Sequence, residues 1–276
     1  MIGQHRLHIP STLRMPSLAA WCLMLWLLAA LGTAHAAQPS PDWWSAIRRD
    51  DVSAVQTMLL RGTDPAALNE IGNPALTQAA REQSWKVFDL LRIARGVEID
   101  QPNAYDETPL MYVCILGQTE RARELIDAGA QVNRLGWTPL HYAASKARIE
   151  TAQLLIQRGA IVNAPGPDGT TPLMMAALSG KEPMVRLLLE HGADATMFNA
   201  KHETAADWAA RGKHTALADK LQALSREVAL RRQWGGDKAA VPAPQPPAGA
   251  ASKAEDQSSF SRYFDLERFE DTPAGQ

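Results

Sequence analysis

Two independent markers recur along the chain with one period, and that period restricts the fold more than any other feature. Thr108-Pro109-Leu110, Thr138-Pro139-Leu140 and Thr171-Pro172-Leu173 repeat, then Thr204-Ala205-Ala206 follows, with threonine steps of 30, 33 and 33 residues. A glycine closes each leucine-rich stretch at Gly62, Gly96, Gly129, Gly159 and Gly192, with steps of 34, 33, 30 and 33. The glycine-to-threonine distance is 12 residues in three units and 9 between Gly129 and Thr138; 12 residues beyond Gly62 stands Pro74, opening a degenerate copy, Pro74-Ala75-Leu76. A period of this size marks supersecondary units that stack because none can bury its apolar face alone.

Each unit reads as two helices and a finger. Threonine caps a helix through its hydroxyl, and proline fits the first turn, where its missing N–H costs nothing. Leu140, Ala143 and Ala144 give a short helix with a face of small residues, which lets a neighbour approach closely. Gly117 and Gly180 break the chain between helices, and a second helix follows with Leu154-Leu155-Ile156 or Leu187-Leu188-Leu189 turned inward. Gly159 and Gly192 end that helix in the left-handed conformation. Turn residues without helical pattern then form an extended finger. Aromatic residues make up 6% of the chain, few for an antiparallel sandwich or barrel.

The motifs Leu140-His141-Tyr142-Ala143-Ala144, Leu187-Leu188-Leu189-Glu190-His191-Gly192-Ala193-Asp194 and Gly129-Ala130-Gln131-Val132-Asn133 resemble the ankyrin repeat. The resemblance covers about Asp42 to Leu224 and implies an all-α ankyrin-repeat solenoid of helix-turn-helix units joined by β-hairpin-like fingers. Six units are expected: Asp42–Gly72, Asn73–Glu107, Thr108–Trp137, Thr138–Thr170, Thr171–Glu203 and Thr204–Leu230. The first resembles a family N-terminal cap, with Trp43, Trp44, Ala46 and Ile47 on one helix and Val52, Val55, Met58 and Leu59 on the next. The last lacks its closing glycine and leaves the stack as a capping helix. Three departures stand out. The finger Arg134-Leu135-Gly136-Trp137 is short, the second unit carries one extra residue before Gly96, where a helix should bulge or run on, and Pro183 sits near the start of a second helix, where it is tolerated.

The first 36 residues contain no Asp, Glu or Lys. Arg6 and Arg14 precede an apolar run from Leu18 to Leu31, and Ala34-His35-Ala36 supplies a small-residue cleavage pattern, so residues 1–36 read as a secretory signal peptide. The alternative is an uncleaved anchor, although the dense apolar part is short against the roughly 20 residues that a membrane helix needs. Cleavage implies periplasmic residence, with secretion or N-terminal anchoring as the alternatives, and no stable membrane insertion afterwards. Of 28 basic and 30 acidic side chains two arginines lie in this leader, so the mature chain carries 26 against 30, a formal charge of −4. That balance gives no footprint for nucleic acid. One cysteine, Cys114, remains of two, so no internal disulfide can form.

Residues 37–232 form the repeat domain, 233–256 a Pro/Ala/Gly-rich linker that cannot build a core, and 257–276 a tail. In the tail Phe260, Tyr263 and Phe264 share a helical face among charged residues, a pattern suited to docking in cis or in trans.

Catalysis is not expected. No His-Glu-x-x-His, Gly-x-Ser-x-Gly, phosphate-binding glycine loop or Cys-x2-Cys occurs, and the mature chain holds four histidines: His141, His191, His202 and His214. The family uses the His141 position to hydrogen-bond across repeats and the His191 position at a helix end, where the dipole favours a cation. A two-histidine metal site of His202 and His214 would lack a third ligand, so neither metal nor cofactor is expected. Cys114 reads as a small buried hydrophobe, the alternative being a redox-sensing thiol.

Recognition is the positive expectation: a monomer that binds another protein on its concave face, as a scaffold of the cell envelope or, alternatively, as a secreted effector binding host proteins. The family's contact positions map onto Glu107, Trp137, Thr170 and Glu203 before the capping threonines, and onto Ile115, Leu116, Ser145, Lys146, Leu178 and Ser179 at the inner-helix ends. Trp137 stands out as an aromatic beside Ile115 and Leu116, a hot-spot composition. The alternative has the short finger folding it onto Met111 and Tyr112. The leader reading is testable directly: mass spectrometry of the exported protein should find Ala37 as the first residue, and a mature chain that still contains Leu23 would overturn it.

Overall fold

A computed structural model describes residues 39–234 of the 276. The signal-peptide reading of 1–36, nearly all of the linker and the tail from 257 lie outside the described residues. Within them the chain forms twelve helices in six pairs: α1 (Pro41–Arg48) and α2 (Val52–Leu60), α3 (Ala75–Arg81) and α4 (Trp85–Arg92), α5 (Pro109–Ile115) and α6 (Thr119–Asp127), α7 (Pro139–Ser145) and α8 (Ile149–Gln157), α9 (Pro172–Ser179) and α10 (Glu182–Glu190), α11 (Ala205–Arg211) and α12 (Thr215–Trp234). No β-sheet forms among the described residues, where two isolated bridges, Leu68 with Pro74 and Phe198 with Thr204, mark finger bases. The all-α solenoid is as the resemblance implies. No described helix is long and apolar enough to cross a membrane.

The odd-numbered helices form the inner row, each packed on the next from α1 to α11, and the even-numbered ones cover them. The inner helices are short because both sides of each are neighbours. All seven residues of α5 and all seven of α7 are buried. Ala143, Ala144, Ala176, Ala177 and Ala209 keep the rows close, while Leu125, Leu155 and Leu188 reach in from the outer helices. The N-terminal cap buries Trp43, Ala46, Ile47 and Val55, with Trp44, Val52, Met58 and Leu59 packed around them.

The capping threonines work in two ways. The Thr171 hydroxyl accepts the Met174 N–H at 3.4 Å. At Thr204 the hydroxyl accepts the Asp207 N–H at 3.5 Å while the Thr204 N–H and hydroxyl both donate to Asp207 Oδ2 at 2.7 Å. At Thr108 and Thr138 the third helical residue reaches back: the Thr108 N–H meets Met111 Sδ at 3.4 Å, and the Thr138 N–H meets His141 Nδ1 at 3.2 Å.

Between the helices of every pair one residue is left-handed: Asp50, Gln83, Gly117, Ala147, Gly180 and Lys213, with φ between 51° and 71°. Glycine fills that position in two units. In the first unit Asp50 also uses its side chain, whose Oδ1 accepts the Val87 N–H of α4 at 2.8 Å. The expected left-handed glycines close the second helices from Gly62 to Gly192.

Two expectations are corrected. The extra residue of the second unit neither bulges nor extends a helix; α4 stops one residue earlier than its counterparts, and the surplus loops out with Ile93 exposed. α12 runs to Trp234, into the segment read as linker, because Ser225 Oγ bonds the Ala195 carbonyl at 2.7 Å and Arg232 holds Asp194 Oδ2 at 2.7 Å. Pro183 sits in the first turn of α10, as expected.

Leu188 is fully buried whereas Leu60 is 84% exposed. In chemical denaturation Leu188→Ala should therefore cost about 2–5 kcal/mol and Leu60→Ala less than about 0.5 kcal/mol.

Candidate functional site

Four of the five fingers, all but the shortened third, are built by a recurring five-residue turn. In the last one the Asn199 N–H donates to the Glu203 carbonyl and the His202 N–H to the Asn199 carbonyl, at 3.0 and 2.9 Å. The residue two before each capping position is left-handed: Gly72, Asp106, Gly136, Gly169 and His202. In the four fingers that make these bonds, that is the geometry of a type I turn closed by a left-handed residue. It pushes the preceding residue to the tip. From the first finger to the fifth the tips are Ile71, Tyr105, Leu135, Asp168 and Lys201. The first three are apolar and 47, 37 and 93% exposed.

The fingers are tied to one another. The Ala104 N–H donates to the Gly72 carbonyl at 3.0 Å, and the Ala200 N–H to the Asp168 carbonyl at 2.7 Å. Arg134 Nη1 donates to the Asp106 carbonyl at 2.9 Å and Nη2 to Asp106 Oδ1 at 2.6 Å. At their bases Asn133 and Asn163 each bond the next unit's glycine carbonyl, Gly159 at 2.8 Å and Gly192 at 2.9 Å. The row of tips is thus held on a rigid frame, the arrangement that limits the entropy lost on binding.

Beneath the tips runs a buried polar chain. Glu107 Oε2 accepts from Tyr112 Oη at 2.6 Å and from Asn103 Nδ2 at 2.9 Å; Oε1 accepts from Tyr142 Oη, in the next unit, at 2.9 Å. Asn103 Nδ2 also reaches Asn73 Oδ1 at 2.9 Å, and Asn73 Nδ2 reaches Gln78 Oε1 at 2.9 Å. Burial, followed by the neighbouring Glu107 carboxylate, pushes the Tyr142 phenol well above its ordinary range. The last finger repeats the pattern, with Asn199 Nδ2 on Glu203 Oε2 at 2.8 Å and Arg211 paired with Glu203.

Of the ten residues expected to meet a partner, four are buried. Glu107 closes its finger, Thr170 takes a bond from His141 through its carbonyl, Ile115 is enclosed in the helix stack with its carbonyl accepting Arg148 Nε at 2.9 Å, and Ser145 Oγ donates to the Tyr142 carbonyl at 2.8 Å. Stacking of one unit on the next encloses these four positions, which the repeat pattern alone places at the contact surface. Leu116, Lys146, Leu178, Ser179, Glu203 and Trp137 are half-buried along the inner edge. Trp137 packs against the buried core. Its ring stands edge-on to His141 at 5.2 Å and rests on Gly166 of the following finger, where a Cβ would lie 2.8 Å from Cζ3. The sequence reading missed Ile71, Tyr105 and Leu135, although each stands three residues before a capping position.

The remaining candidates sort by environment. His202 stacks on Phe198 at 5.3 Å within the last finger, whereas the His214 ring lies against Gly180 of the preceding unit. Among the described residues no group of three or more His, Cys, Asp and Glu side chains is placed to hold a metal ion. His191 Nδ1 bonds the Leu187 carbonyl at 2.8 Å and closes α10. Cys114 is fully buried, and desolvation pushes its thiol far above the ordinary range, which removes the thiolate a redox sensor needs.

His141 is a buried tie that joins the two ends of its unit, Thr138 and Thr170. Its Nδ1 accepts from the Thr138 N–H at 3.2 Å and faces the Thr138 hydroxyl at 2.9 Å, so the proton sits on Nε2, which donates to the Thr170 carbonyl at 3.0 Å. Burial lowers its pKa from 6.5 to about 4, against smaller opposing effects of the Thr170 carbonyl, Asp168 and the Ala164 carbonyl. The unfolded chain binds this proton more readily, so the stability held above pH 6.5 is lost as pH falls towards about 4. Urea melts at pH 7 and pH 4.5 should show the parent losing up to about 3 kcal/mol more than His141→Gln between them; parallel losses would overturn the neutral buried state.

A family model described as ankyrin repeats (3 copies) matches residues 76–166 and 161–228. No curated protein matches the chain.

Proposed function

The chain belongs to the ankyrin-repeat family, and from that premise we propose that it is a non-catalytic scaffold of the cell envelope, resident in the periplasm, which binds another protein along its fingers and inner-helix edge. Ankyrin stacks serve protein recognition through extended surfaces of this kind. The observation that carries the reading is the row of exposed apolar tips, Ile71, Tyr105 and Leu135, on fingers bonded to one another. Adjacent apolar side chains held in solvent by a rigid frame offer a partner contact area without an ordering cost. Leu116 and Leu178 border the same inner edge, and the leader sequence supports the envelope location.

The reading separates tip residues from packing residues. With a partner isolated by pull-down on the exported chain, Tyr105→Ser and Leu135→Ser should each weaken its binding at least about tenfold, as anchor residues do, with the melting temperature unchanged. Trp137→Ala should lower the melting temperature because its ring fills the step between two fingers. Undiminished binding by both tip variants would overturn the assignment of the surface.

A further inference from the structure

The edge opposite the fingers carries a row of cations. Each inner helix runs from a finger to the turn that joins it to its outer partner, so the six turns line up along one edge of the stack. Five inner helices place a cation at or within two residues of their last helical residue: Arg49 after α1, Arg81 at the end of α3, Lys146 after α7, Lys181 after α9 and Lys213 after α11. α5 has none of its own and runs out into Leu116-Gly117-Gln118. Arg148 of the next unit fills that place. Its Nε donates to the Ile115 carbonyl at 2.9 Å, and its side chain crosses Gly117, where a Cβ would lie 2.9 Å from Cδ. The row of positive charge therefore runs over all six described units, in a chain whose formal charge is −2.

Folding leaves most of these charges unused. A cation at a helix C-terminus offsets the dipole, but here the turn backbone already bonds the last carbonyls. The Ser84 N–H donates to the Ala79 carbonyl and the His214 N–H to the Ala209 carbonyl, both at 2.9 Å. Among the described residues Arg49, Arg81, Lys181 and Lys213 enter no ion pair and donate no side-chain hydrogen bond. Several carboxylates of the same turns are engaged instead. Asp50 and Asp51 accept backbone N–H groups, Glu120 pairs with Arg123 and Glu182 with Lys220, while Glu82 and Glu150 stand exposed. Neighbouring turns stand about 8–10 Å apart, the packing distance of the helices they end. The Debye length is about 8–10 Å at 0.1–0.15 M salt, so the potentials of adjacent cations overlap. Leu116 and Leu178, both half-buried, lie between them.

We propose that this edge binds an acidic segment of a partner protein. An extended chain rises about 3.3 Å per residue, so a carboxylate at every third position meets one unit's cation about every 10 Å. A polypeptide fits the row better than a bilayer, because Arg81, Lys146 and Arg148 are half-buried beside the leucines, set back from the reach of a flat surface. The inference rests on the reading of the solenoid as a recognition scaffold and gives the partner its charge. Complementary charge of this kind raises the rate of encounter and selects among partners.

Charge reversal at matched positions tests this in the exported chain, with a labelled polyglutamate peptide as the probe and fluorescence anisotropy at low ionic strength as the readout. Arg49→Glu with Lys181→Glu should weaken binding at least about tenfold. Arg61→Glu with Arg95→Glu makes the same charge change at exposed arginines after the outer helices and should leave binding within about twofold of the parent. Both double variants should melt as the parent does, since none of the four side chains makes a bond. Equal weakening by the two pairs would mean that the probe senses net charge alone and would overturn the proposal, as would a parent that does not bind. Tighter binding of phosphatidylglycerol vesicles, or of a single-stranded oligonucleotide of equal charge, would make the edge a membrane or nucleic-acid surface and also overturn it. Polyglutamate has no apolar side chains, so Tyr105→Ser and Leu135→Ser should bind it like the parent. Failure here leaves the reading of the tips standing, and undiminished partner binding by the tip variants leaves this one standing.

Discussion

None of the six described helix pairs can bury its own apolar face alone. α5 and α7 are enclosed along their whole length because a neighbouring inner helix lies on each side, and the outer helices close the remaining face with Leu125, Leu155 and Leu188. Everything else follows from that dependence. The helices are short, the residues between the rows are alanines, and both ends of the stack depart from the repeat. Trp43 and Ile47 seal one end, and the long α12 covers the other. Burial at about 25 cal/mol per Å² of apolar surface is gained chiefly between units, so stability spreads along the solenoid instead of residing in any one pair.

Polar groups align what apolar packing only brings near. Glu107 bonds Asn103 within its own unit and Tyr112 and Tyr142 in the next two, His141 joins the two ends of its unit, and both are enclosed. An unpaired buried polar group costs more than a made hydrogen bond returns, so a slipped unit would be penalised twice. The fingers inherit this order. Arg134 on Asp106, and Trp137 on Gly166, bridge the places where the shortened third finger would otherwise leave a gap. Recognition and folding therefore share residues, and large side chains near the fingers divide into those that hold the frame and those that stand on it.

Much of this was legible because repetition makes a one-dimensional pattern carry a three-dimensional neighbour relation. Thr108, Thr138, Thr171 and Thr204 open inner helices, Gly62 to Gly192 close outer ones, and Cys114 and His141 are buried as their places in the pattern imply. The left-handed turn between paired helices was visible only at Gly117 and Gly180, since Asp50, Gln83, Ala147 and Lys213 adopt it without a glycine to signal it. Asn103-x3-Glu107 and Asn199-x3-Glu203 did carry a signal for finger closure, an amide and a carboxylate four residues apart, but their place before the capping threonine suggested a contact role instead.

The sequence by itself determined the number of units, their helical ends and the inward faces of the outer helices, because these depend on local caps, turns and the spacing of leucines. It did not determine which members of one repeat position face solvent. Glu107 is enclosed while Glu203 is half-exposed, and Trp137 lies down on Gly166 while Leu135, two residues earlier, stands 93% exposed. Those outcomes belong to the stacking of one unit on the next. A missing side chain on one finger makes room for an aromatic ring from its neighbour, and a tyrosine one unit away takes up the second oxygen of a carboxylate. Such pairings join residues about thirty positions apart through space, where no local preference of the chain reaches.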